Sequence, residues 1–120
     1  MRLLPLVLIA SACAAGAARE ADLSSELAGR SAGPPQDCVG TSTDAGLAVR
    51  DSQTLVYRRG DAIWVNRLAA ACPGLDPMST LIVDAHGSQY CRGDPIRAVE
   101  AGRSIPGPIC LLGPFTPYRR

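Results

Sequence analysis

The chain has 120 residues, with 12 basic side chains, all Arg, against 11 acidic ones, and a net charge of +1. Near-neutrality without a clustered basic block argues against a phosphate-holding nucleic-acid surface. The five aromatic residues, Tyr57, Trp64, Tyr90, Phe115 and Tyr118, can anchor one small core. Abundant Ala, Gly and Pro beside Arg without Lys point to the coding bias of a GC-rich genome.

The first element is an export leader over residues 1–18. Arg2 forms its positive n-region, Leu3 to Ala10 its apolar h-region, and Ser11 to Ala18 a run of small residues suited to a signal peptidase. Eight apolar residues fall far short of the ~20 that a spanning helix requires, so no transmembrane span is expected. Two cleavage readings compete. In the preferred one, small residues at Ala15 and Ala17, or at Gly16 and Ala18, form the A-x-A-like site and a soluble chain begins near Arg19. In the other, Ile9-Ala10-Ser11-Ala12-Cys13 resembles a lipobox, and Cys13 becomes the acylated first residue of a lipoprotein.

Residues 19–37 read as a flexible linker. A short helix over Ala21 to Gly29 has thin apolar content, and Gly33-Pro34-Pro35 breaks regular structure. The domain proper then spans residues 38–120 as short strands separated by turns. Leu47 to Arg50 and Thr54 to Arg58 flank Asp51-Ser52-Gln53, a hairpin-sized loop. Arg59-Gly60-Asp61 is a second turn, and Ala62 to Leu68 a strand carrying Ile63, Trp64 and Val65. Ala69 to Ala71 make one helical turn before Cys72-Pro73-Gly74. Further strands run over Thr80 to Ala85, Ser88 to Cys91, Ile96 to Glu100 and Ile109 to Leu112. Seven short strands with almost no helix predict an all-β fold, a small antiparallel barrel or sandwich. Trp64, the largest apolar side chain in the most strand-like segment, is expected to be buried with Val56 and Ile82 nearby.

Once the leader takes Cys13 out of the count, four cysteines remain: Cys38, Cys72, Cys91 and Cys110. An even number in an exported domain of this size reads as two disulfides, which a core this small needs. Zinc sites bring paired ligands from tight C-x2-4-C turns, and no such pair exists here, so no metal or other cofactor is expected. Three connectivities are open. The nested one, Cys38 with Cys110 and Cys72 with Cys91, is expected because a closing barrel brings its first and last strands together.

Tyr57-Arg58-Arg59-Gly60-Asp61-Ala62-Ile63 and Tyr90-Cys91-Arg92-Gly93-Asp94-Pro95-Ile96 echo one another, which we read as one turn solution used twice rather than as Arg-Gly-Asp recognition motifs. Asp84 and His86, two apart on a predicted strand, share a face, with Ser79 or Ser88 as the nearest nucleophile candidates. A polar strand end entering the turn at Gly87 explains them better. With no nucleophile elbow, phosphate loop or His-Glu-x-x-His helix, no catalytic residue is expected and the chain is read as a non-enzyme.

The succession Leu55-Val56-Tyr57, Trp64 to Leu68, Cys72-Pro73-Gly74-Leu75, Cys91-Arg92-Gly93-Asp94 and Cys110 to Phe115 resembles a family of small exported proteins of Gram-negative bacteria, grouped as a domain of unknown function. The resemblance covers Cys38 to Tyr118 and implies an envelope location without an activity. The expected function is a structural or binding module, periplasmic or secreted, or anchored to the outer membrane as a lipoprotein, that engages an envelope protein or a cell-wall component. The alternative is a small periplasmic inhibitor of a lysozyme-like hydrolase. Gly87-Ser88-Gln89-Tyr90 is similar to the Ser/Gly-rich, Tyr-ended loop of such inhibitors.

Overall fold

A computed structural model describes residues 23–41 and 46–120. The expected leader, its expected cleavage sites and Cys13 lie outside these residues. The fold is all-β: the described residues form ten strands in three antiparallel sheets, stapled by two disulfides.

The central unit is the hairpin of β4 (Thr54–Arg59) and β5 (Ala62–Arg67). Both are rich in β-branched and aromatic residues, and they are joined by the two-residue turn Gly60-Asp61. Gly60 has φ of 60°, as the first central position of a II′ turn requires. β3 (Ala48–Asp51) extends the sheet on one side through a bulged hairpin. On the other side lie β10 (Phe115–Arg119) and then β1 (Ser31–Ala32), giving the order β1-β10-β5-β4-β3.

Period-two alternation divides this sheet into two faces. Leu55, Tyr57, Trp64 and Phe115 point into the main core. There they meet residues of two smaller sheets, β2 (Cys38–Gly40) with β7 (Gln89–Cys91), and β6 (Thr80–Val83), β8 (Pro95–Val99) and β9 (Cys110–Leu111) in the order β6-β8-β9. The arrangement is a layered sandwich rather than one closed barrel. Val56, Ile63 and Val65 form the opposite face with Leu23, Leu27 and Tyr118 packed over them. Burial on both faces makes β4 and β5 read as nearly continuous apolar runs.

Trp64 is buried as expected, 9% exposed, but its neighbours differ. Its cross-strand partner is Tyr57, with ring centroids 5.9 Å apart, and the Arg119 guanidinium lies 5.5 Å from its ring centroid. Val56, one residue along β4, faces the other way, and Ile82 is 44% exposed on the outer side of β6.

Three further expectations are corrected. Residues 23–37, assigned to a flexible linker, are docked on the domain. A helical turn over 23–26 places Leu23 against the sheet, β1 pairs with the end of β10, and Gln36 exchanges backbone hydrogen bonds with Phe115. Glu26 fastens the turn with ion pairs to Arg50 (2.8 Å) and Arg58 (2.5 Å). The disulfides are Cys38–Cys91 and Cys72–Cys110, an interlaced pattern in place of the nested one. The nested pairing assumed that Cys110 lies in the last strand. The last strand is β10, whose Pro117 conceals it, and the first and last of the described strands, β1 and β10, meet by hydrogen bonding. Cys38 stands directly opposite Cys91 in the β2–β7 register. The expected helical turn at Ala69 to Ala71 is a pair of bends.

Candidate functional site

One concavity has a wall that is anchored on the turn between β3 and β4. Asp51 Oδ1 accepts the Gln53 N–H (2.8 Å), a side-chain-closed turn that leaves its tip free to bind elsewhere. The Gln53 carbonyl accepts the Leu68 N–H, the Ser52 carbonyl accepts the Cys72 N–H, and Gln53 Nε2 donates to the Leu68 carbonyl. The segment from Leu68 to Cys72 is thereby tied at both ends to this turn, with bends at Ala69 and Ala70 between them. Cys72 is linked to Cys110, with Cα atoms 6.0 Å apart, so a covalent bridge sets the distance between this segment and β9.

Between them lies a groove of about 430 Å³, lined on one side by Leu68 to Ala71 and on the other by Pro108 to Leu111. Three consecutive alanines leave one wall with little side-chain bulk. Ile109 and Leu111, 61% and 57% exposed, form the apolar rim. An adjoining cavity of about 310 Å³ continues past Ala69 and Leu111 to Arg67 and Arg92. There Asn66, fully buried, donates to the Gly113 carbonyl (2.7 Å) and accepts the Gly113 N–H (2.8 Å). The side-chain amide thus acts as a short strand edge. A Cβ at Gly113 would overlap the carbonyl oxygen of Arg67, so the close approach requires glycine.

The sequence-derived candidates are dispersed. His86 is exposed, and its nearest carboxylate is Asp94 (Nδ1 to Oδ1 3.7 Å) rather than Asp84, which lies beyond the end of β6. The Ser79 hydroxyl donates to the Asp76 carbonyl (2.7 Å), and the Ser88 carbonyl receives the Thr41 N–H. The structure therefore does not assemble a nucleophile, base and orienting acid from these residues. Among the described residues, no group of three or more His, Cys, Asp or Glu side chains is placed to hold a metal.

The two Arg-Gly-Asp triplets turn out to do different work. Gly60-Asp61 closes the β4–β5 hairpin, and its Asp61 carbonyl receives the Arg30 guanidinium. Arg92-Gly93-Asp94 carries the chain between two sheets, with Asp94 buried and its Oδ2 accepting the Cys91 N–H (2.8 Å). The echo is therefore not one turn used twice. Tyr90, the end of the inhibitor-like loop, packs edge-on to Tyr57 at 5.9 Å and lies against the core.

Sequence reasoning overlooked the groove because its walls come from segments distant in sequence, which the Cys72–Cys110 bridge joins across a separation of 38 residues. The available signal was the alanine run beside a cysteine, facing an Ile-Cys-Leu strand. No family model, curated protein or solved structure matches the chain.

Proposed function

We propose that the protein is an exported, non-enzymatic binding module of the bacterial cell envelope, periplasmic or secreted, with a lipid anchor at Cys13 as the alternative attachment. The observation that carries this reading is the groove, with its disulfide-fixed width and its rim of exposed Ile109 and Leu111. Exposed apolar side chains gathered beside a concavity mark interaction surfaces, whereas scattered ones do not. Paired disulfides suit an oxidising compartment, and no helix among the described residues is long and apolar enough to cross a membrane.

Site-specific photo-cross-linking in intact envelopes tests this. A cross-linker at position 111 should capture a discrete envelope partner, and one at position 97, on the solvent-facing side of β8, should not. Equal capture, or none at either position, would overturn the reading. Intact mass separates the two forms: a start near Arg19 indicates the soluble protein, and a diacylglyceryl-modified Cys13 the lipoprotein.

A further inference from the structure

We infer that the groove receives an extended polypeptide segment of the partner, added as a strand to the free edge of β9, with a carboxylate lodged between Arg67 and Arg92. The inference rests on the binding-module reading and gives it a ligand class.

The edge follows from the register. The Leu112 N–H donates to the Asp94 carbonyl (3.0 Å), and the Leu112 carbonyl receives the Gly93 N–H (2.8 Å). The backbone groups of Leu112 thus face β8, as do those of Cys110, which stands opposite Ile96. Strand alternation turns the N–H and C=O of Ile109, Leu111 and Gly113 the other way. Those of Gly113 are taken by Asn66. Those of Ile109 and Leu111 point to the side where β9 has no neighbouring strand, since it is the last in its sheet. Two residues of one strand stand about 7 Å apart, the repeat at which an added strand forms its hydrogen bonds.

The groove is lined by this edge, and Ile109 and Leu111 stand on its rim. Ala69 to Ala71 leave the far wall low, and the Cys72–Cys110 bridge holds it at a fixed distance, so little ordering opposes binding. The occupant's charge is set at the adjoining end. Arg67 and Arg92 are both exposed there, no acidic side chain lines either cavity, and among the described residues neither Arg joins an ion pair. A carboxylate would gain charge-assisted hydrogen bonds at that end, whereas a neutral or cationic group would not.

The full exported protein, oxidised, is titrated with a library of pentapeptides that have apolar residues at alternate positions and free C-terminal carboxylates, and its amide NMR spectrum is followed. Peptides binding in the micromolar range should shift the amides of Ile109 and Leu111. C-terminal amidation should weaken them about tenfold, as should Arg67→Gln with Arg92→Gln in a protein of unchanged melting temperature. N-methylation along the peptide should abolish binding at every second amide only.

Three results would overturn the inference: no library member moving those amides at millimolar concentration, uniform tolerance of N-methylation, or displacement of every peptide by hexadecanoate at the same amides. If position 111 still cross-links an envelope partner while the library fails, the strand-addition inference falls and the binding module stands. Failure of both experiments removes both.

Discussion

Asn66 is a polar side chain in a strand whose other inward residues are apolar, and the sequence offers no sign of its task. Its task is set by Gly113, 47 residues away, whose N–H and C=O it satisfies in the absence of another strand. Asn66→Leu keeps the volume and orphans both backbone groups. A loss of about 2–3 kcal/mol is expected in denaturant titration, because a buried unsatisfied group costs about 1–3 kcal/mol. An unchanged midpoint would mean that the two groups find water. Trp64 was legible, since bulk and β-propensity together place it in the core. Trp64→Ala should cost about 3–5 kcal/mol, measured the same way. Its neighbours were less legible, because sequence spacing does not say which face of a two-sided sheet is which. Val56 and Trp64 sit on directly hydrogen-bonded strands and still face opposite ways.

At the scale of elements, the strands from β3 to β9 were expected, most clearly β4, β5 and β6, where β-branched and aromatic residues run together. Of the three that were overlooked, two are too short to carry that signal, and the third carries it in Phe115, Thr116 and Tyr118 but is interrupted by a proline. β1 is the dipeptide Ser31-Ala32, and β2 is three residues that include Gly40. β10 contains Pro117, tolerated because its backbone faces β1, where the Pro117 carbonyl receives the Gly33 N–H and pairing is already short.

The helical turn over 23–26 was discounted for thin apolar content, yet Leu23 and Leu27 cover a sheet face and Glu26 supplies the attachment. Hydrogen bonds from Arg50, and then Arg58, outweigh the effect of burial and hold the Glu26 carboxyl well below its ordinary 4.5, at about 2. Because the folded value is the lower one, the stabilisation is complete above pH 4.5 and is lost as pH falls toward 2. Glu26→Gln should therefore lower stability at pH 7 by on the order of 1–2 kcal/mol, allowing for solvent screening. Near pH 2 wild type and variant should converge. A gap that persists in acid would assign the attachment to packing alone.

For the whole molecule, cysteine parity and spacing foretold two bridges, and only the tertiary register decides that they interlace. The candidate groove shares that origin, since the bridge that defines it could not be drawn from the sequence. Interlacing also governs how the molecule survives being cut. Limited trypsin digestion after Arg59, at the end of β4, and after Arg103, in the exposed segment that follows β8, yields three fragments. The first carries Cys38, the middle one Cys72 and Cys91, and the last Cys110. With the observed pairing, each outer fragment is bonded to the middle one, so a doubly nicked protein should migrate in denaturing, non-reducing gels as one species and fall into three on reduction. With nested bridges, the middle fragment would come free without reductant. Such a protein can lose the continuity of its chain twice and remain one molecule.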